Sequence, residues 1–155
     1  MKKNIFPVLA AVLLFFSACS RNGGGAKSAD LNTVMAKMKE TITNTEMMDL
    51  SAEDLMPDYG IDPDDVKQFA VYVDSTGTKG DEIILAEGKD DASASRIQEK
   101  LEARYKQKEV EMKDYLPEEY AVLEECGVTR NGNYVDMIVS PQHEDLEKIY
   151  NDAVG

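Results

Sequence analysis

Hydrophobic residues fall into two spacings along the chain, and the switches between them mark the predicted elements. Leu31, Val34, Met35, Met38 and Ile42 recur at helical spacing behind Asp30, a residue suited to cap the start, which predicts a helix over about 30–43. Ser51 with Asp54 three residues on predicts a short helix that stops near Pro57, and Asp62-Pro63 predicts a single helical turn. From Gln68 to Asp74 the pattern changes to alternation, with Phe69, Val71 and Val73 on one face of a strand. A loop, "STGTKG", separates it from a second strand over 81–87, and the two form a predicted hairpin. Ile84, Leu85 and Ala86 are consecutively apolar, so this strand is expected at the centre of its sheet.

Helical spacing returns after Asp90-Asp91 and runs to about Lys113. Ile97, Leu101, Tyr105 and Met112 form its stripe, with Glu102–Lys106 and Glu109–Lys113 as favourable pairs on the wet face. A further short helix is predicted within 115–125, with Pro117 in its first turn. Asn131-Gly132 then sits between two alternating runs, a pair that favours a type I′ hairpin turn. Tyr134, Asp136 and Ile138 share one face of the second run; Val135, Met137 and Val139 share the other. Ser140-Pro141 opens a last helix, predicted to bury Leu146, Ile149, Tyr150 and Ala153. The fold class expected is α+β: a four-stranded antiparallel sheet built from two β-hairpins, packed with a long helix and with N- and C-terminal helices.

The first residues follow neither pattern. Lys2 and Lys3 precede an apolar run from Ile5 to Phe16, about twelve residues where a spanning helix needs about 20. That is the length of a signal-peptide core. Phe16-Ser17-Ala18-Cys19 resembles a bacterial lipobox, with Phe16 where Leu is usual. The resemblance implies cleavage before Cys19 and a lipid on its sulfur, whose two acyl chains in the diacylglyceryl group give stable anchoring where one would not. Residues 1–18 are thus read as a lipoprotein signal peptide, 19–29 as the lipidated Cys and a flexible Gly-rich tether, and 30–155 as one α+β domain.

Charge narrows the partners. Seventeen basic residues face 30 acidic ones, a formal net charge of −13. Such a surface is repelled by nucleic-acid phosphates and by anionic headgroups, so no nucleic-acid partner is expected, and the membrane contact falls to the lipid on Cys19. Beyond Cys19 the only cysteine is Cys126, so no disulfide framework exists.

"YGID" at 59–62, "DEI" at 81–83, Arg104, "YLP" at 115–117 and "GNYV" at 132–135 resemble, in this order, the family called domain of unknown function 4358. The resemblance covers roughly residues 30–154. It implies a small lipoprotein of Gram-positive bacteria, anchored on the outer leaflet of the cytoplasmic membrane, and it brings no activity and no catalytic residues.

Candidate chemistry is thin. His143, the only histidine, and Cys126 bracket a hairpin and could form a nucleophilic pair, but a surface histidine and a small buried cysteine are expected. Asp62, Asp64 and Asp65, and the stretch "DSTGTKGDE", offer oxygens to calcium, yet the EF-hand pattern fails at Lys79 and Leu85, and turn chemistry is expected instead. No metal, no cofactor and no catalytic residue is expected. Arg104, at the edge of the long helix's stripe, is expected to pair with Asp81 or Glu82. Together with Tyr115, Tyr120 and Tyr134 it forms the candidate binding face. The functional expectation is a lipid-anchored extracytoplasmic binding or interaction module with a protein or envelope partner; a cell-envelope hydrolase and a structural assembly subunit are the alternatives.

Overall fold

The computed structural model describes residues 27–155. The elements are α1 (Leu31–Lys39), β1 (Met47–Asp49), α2 (Leu55–Tyr59), β2 (Val66–Asp74), β3 (Glu82–Gly88), α3 (Asp91–Lys113), α4 (Pro117–Leu123), β4 (Gly127–Asn131), β5 (Tyr134–Val139) and α5 (His143–Val154). Single 3₁₀ turns precede α2 and β2, the latter built on Pro63 as the sequence implies.

All strand pairs are antiparallel, in the order β1-β2-β3-β5-β4. The α+β class holds, but the sheet has five strands where the hydrophobic pattern predicts four. The additional one, β1, is three residues long, too short to show alternation, and its pairing with Tyr72–Asp74 exists only after β2 has folded. β3 is central and buried along its whole length. The hairpin turn also differs: Asn131 pairs with Tyr134, and Gly132, at the first loop position, has φ of 60° while no described non-glycine residue has positive φ. This is the type II′ pattern, with Gly carrying the left-handed position, rather than I′ with Asn and Gly both left-handed.

Side chains on either face of the sheet build separate cores. Ile83, Leu85, Tyr134 and Ile138 pack under α1 and α5 with Leu31, Met38, Leu146 and Tyr150. Ile84, Ala86, Val135, Met137 and Val139 pack under α2, α3 and α4 with Leu55, Ile97, Leu101 and Leu123. The caps expected at Asp30 and Asp90 form, each carboxylate accepting from the backbone N–H three residues on, at 2.8 and 2.7 Å. α3 lies so close to the end of β3 that a Cβ on Gly88 would sit 2.5 Å from the Ala94 nitrogen. Predicted α1 ends about four residues early, and α5 starts after Pro141 rather than at it.

Cys19 and the residues expected to form the signal peptide and tether, up to 26, lie outside the described residues. The first described residues are tied to one end of the sheet. The Lys27 N–H donates to the Val154 carbonyl at 3.1 Å, and the Ala29 N–H donates to the Tyr134 hydroxyl at 2.9 Å.

A candidate binding cleft

The opposite end of the sheet, where β3 begins, carries a cleft of about 900 Å³. Its floor starts from an anomaly in the sequence. Glu82 occupies the same face of β3 as Ile84 and Ala86, so an acid points into a core-facing position. On α3, the spacing Ile97, Leu101, Lys108, Met112 likewise puts a lysine in the apolar stripe. The fold brings these two misfits together. Lys108 Nζ donates to Glu82 Oε2 at 2.7 Å, and both side chains are almost wholly buried. Arg104, one turn back, forks onto the same carboxylate, Nε to Oε1 and Nη2 to Oε2, both at 3.0 Å. The fork is the strong bidentate geometry for this pair. Burial alone would push the Glu82 carboxyl up, but Arg104 and Lys108 together outweigh it and hold the group below the usual glutamate range.

Arg104 is thus paired as one of the two expected alternatives, with Glu82 and not with Asp81. Asp81 takes the next place. Ser140 Oγ donates to it at 3.1 Å and Asn44 Nδ2 at 3.3 Å, yet its burial still lifts it above its ordinary value. Tyr59, on α2, closes the floor; burial first, and then the Glu82 charge, raise its phenol.

The walls are mixed. Met48 and Leu50 from the β1 edge, Val73 from β2, Met112 from the end of α3 and Leu116 from the cap of α4 supply apolar surface. Asp54, Asp58, Asp74 and Glu111 supply carboxylates around the opening, so three cations of the lining stand against six carboxyl groups. Two large apolar side chains on the rim are left in water: Met48 is 46% exposed and Tyr115 is 83% exposed.

The four residues of the expected binding face do not share one surface. Arg104 and Tyr115 meet in the cleft. Tyr120 instead packs half-buried against the core under α4, and Tyr134 is buried on the other face, its hydroxyl holding Ala29. Periodicity cannot separate these cases, because a tyrosine at a helix or strand position reads the same whether its neighbours cover it or not. The residues that sequence reading passed over are Lys108 and Met48. Lys108 was detectable as a charge inside an apolar stripe; Met48 was not, because its strand carries no local pattern.

Cys126 and His143 lie outside this lining. The Cys126 thiol donates to the Val122 carbonyl at 3.2 Å and is pushed up to about 11 by burial, the reverse of nucleophile activation. His143 is not on the open surface. Its side chain is only 13% exposed, between Glu125 and Glu147, with each ring nitrogen 3.6 Å from a carboxylate. Both suspected calcium loops are turns. Asp74 Oδ2 accepts from the Thr76 N–H and hydroxyl, and Asp62 accepts from the Asp64 N–H. Among the described residues no cluster of His, Cys, Asp and Glu is arranged to hold a metal ion, and no helix is long and apolar enough to cross a membrane.

The family model described as Domain of unknown function (DUF4358) matches residues 40–140, more than half of the chain and a span that contains the whole lining of the cleft. No curated protein and no solved structure matches the chain.

Proposed function

The chain belongs to the family Domain of unknown function (DUF4358), and we propose that it is a lipid-anchored binding module whose ligand site is the cleft over Glu82, Arg104 and Lys108. The observation that carries this reading is the contrast within the cleft. A preformed, buried ion cluster sets a rigid floor, while Met48 and Tyr115 stand exposed on the rim above it. Large apolar and tyrosine side chains left in water beside a concave site are the usual material of a contact surface. The anchor is the lipid on Cys19, as the lipobox-like stretch implies, and the domain works on the extracytoplasmic face.

The placement of the N-terminus supports the arrangement. The described chain begins at the Glu87 and Tyr134 end of the sheet, whereas the cleft opens at the Glu82 end. Five residues of strand separate these ends, about 17 Å at about 3.4 Å per residue. The opening of the cleft is therefore clear of the point where the described chain begins.

Two measurements test the proposal. Mass spectrometry of the membrane-extracted protein should find a mature N-terminus at Cys19 carrying added diacylglyceryl mass; an unlipidated Cys19 removes the anchor. Photo-cross-linking on intact cells from a benzoylphenylalanine at position 115 should trap a discrete species. Equal labelling from position 148, whose side chain is 73% exposed on the far helix, would show that nothing occupies the cleft.

A further inference from the structure

The edge of the sheet beside the cleft is open, and its hydrogen-bonding phase can be read from its ends. Ser75 N–H donates to the Glu46 carbonyl at 2.8 Å, and Leu50 N–H donates to the Val71 carbonyl at 3.2 Å. Bonded and non-bonded residues alternate along an antiparallel strand, so Met48, opposite Val73, also faces inward. The N–H and C=O groups of Met47 and Asp49 therefore point away from the sheet. No described strand lies on that side, and the Asp49 side chain is 65% exposed. An unpaired edge is a template for another strand, and edges are commonly protected by shortness and charge. β1 is short, and its Asp49 carboxylate is taken by Lys39 of α1 on the face away from the cleft. The unpaired selection comes from the cleft side, where Asp54 and Asp58 repel an acidic strand and admit a basic one.

Resting on the reading of the cleft as a binding site, we propose that β1 takes an extended, basic segment of a partner protein as an added strand, with alternate side chains reaching over the cleft. Strand addition supplies main-chain bonds, and the side chains on one face supply selection. Facing the cleft, those side chains meet Met48 and Leu50 first and then Asp54 and Asp58, which suits lysine or arginine: an apolar stem with a cationic end. The same charges disfavour a second copy of this chain, which would bring two bodies of net charge −13 edge to edge and set Asp49 near its own counterpart.

The test uses the full chain in detergent micelles and a fluorescent, end-blocked octapeptide of alternating lysine and valine. Two comparison peptides accompany it: glutamate in place of lysine, and the same lysine–valine peptide with alternate backbone nitrogens methylated. The lysine–valine peptide is expected to bind, the glutamate peptide not, and methylation to weaken binding at least about tenfold, because it deletes the main-chain donors on which strand addition depends. Asp49→Pro, which removes the outward N–H from the edge, should weaken binding by about the same factor, while Asp49→Asn, which keeps the N–H and removes the charge and its Lys39 ion pair, should cost about threefold or less. If Asp49→Pro does not fold, the methylated peptide carries the same test. Equal binding of methylated and unmethylated peptides overturns strand addition; loss with Tyr115→Ala in that case keeps the cleft as a side-chain site. No binding by any peptide overturns the proposal and leaves the cleft to the cross-linking at position 115. A dimer that Asp49→Pro abolishes also overturns it, naming a second copy as the occupant.

Discussion

Two of the buried carboxylates, Glu82 and Asp136, lie on opposite faces of the sheet and are held by opposite means. Glu82, on the α3 face, is satisfied by two cations and stays ionised. Asp136, on the α1–α5 face, has no cation. Its only side-chain donor with good geometry is Thr129 Oγ1, and the Tyr150 hydroxyl beside it has no hydrogen-bond partner. Burial, with the Glu147 charge adding to it, pushes the Asp136 carboxyl up to about 7. The same chemical group is therefore a fixed anion on one face and a titrating acid on the other. The difference is instructive: the face that carries the cleft holds its core acid with cations, whereas the face that carries the terminal helices buries Asp136 without one, its Glu87 meeting Lys67 only at the end of the strand.

The largest expected effect breaks the ionic side. Glu82→Gln leaves Arg104 and Lys108 without their counterion, and removing one partner of a buried pair costs about 3–5 kcal/mol. Chemical denaturation at pH 7 measures it, and a loss under about 1 kcal/mol would mean that water already screens the cluster.

Next comes Asp136→Asn, with the opposite sign. In the native state Asp136 releases its proton only near 7, whereas in the unfolded chain it does so near 3.8, so the folded form binds more protons between these values. Stability then falls as pH rises from about 4 to about 7, and the loss persists above 7. The asparagine variant should be more stable than the parent at pH 8, by on the order of 3 kcal/mol, and gain nothing at pH 4. For Glu82 the sign reverses: its contribution is complete above the ordinary glutamate range and is lost only as pH falls below it. Denaturation midpoints at pH 4, 6 and 8 separate the two groups. An advantage of Asp136→Asn over the parent that does not grow between pH 4 and 7 would contradict the assignment of Asp136.

Gly88→Ala sharpens the comparison through packing. The added methyl meets the Ala94 backbone at 2.5 Å and must lift the start of α3, at about 1–3 kcal/mol. Smallest are the caps, which make the same bond on the two faces. Asp30→Ala on α1 and Asp90→Ala on α3 should each lower stability by about 1 kcal/mol. Thermal denaturation of the pair measures them, and a much larger loss for Asp90→Ala would show that the floor of the cleft depends on the first turn of α3.

Much of this architecture is legible in the residues. The long helix, its Asp90 cap, the β2–β3 and β4–β5 hairpins and the central place of β3 follow from periodicity and turn chemistry, because each depends on neighbours within a few positions. The fifth strand does not. "MMD" has no pattern of its own and becomes a strand only against Tyr72–Asp74. The candidate site divides in the same way. Arg104 is marked by its place at the stripe's edge, and Glu82 and Lys108 by standing where apolar residues belong; which charge meets which requires α3 to cross the start of β3. Tyr115 and Tyr134 are the same residue type at equally ordinary positions, and only packing leaves one in water and seals the other.

The sequence by itself determined the α+β class, the acidity, the expectation of an anchor at Cys19 and the family, because these rest on composition and local spacing. Tertiary structure alone decided that two misfit charges form one buried cluster, that the tyrosines separate, and that β1 leaves an open edge beside the cleft. Those are contacts between residues tens of positions apart, and their energies exist only once the sheet has assembled.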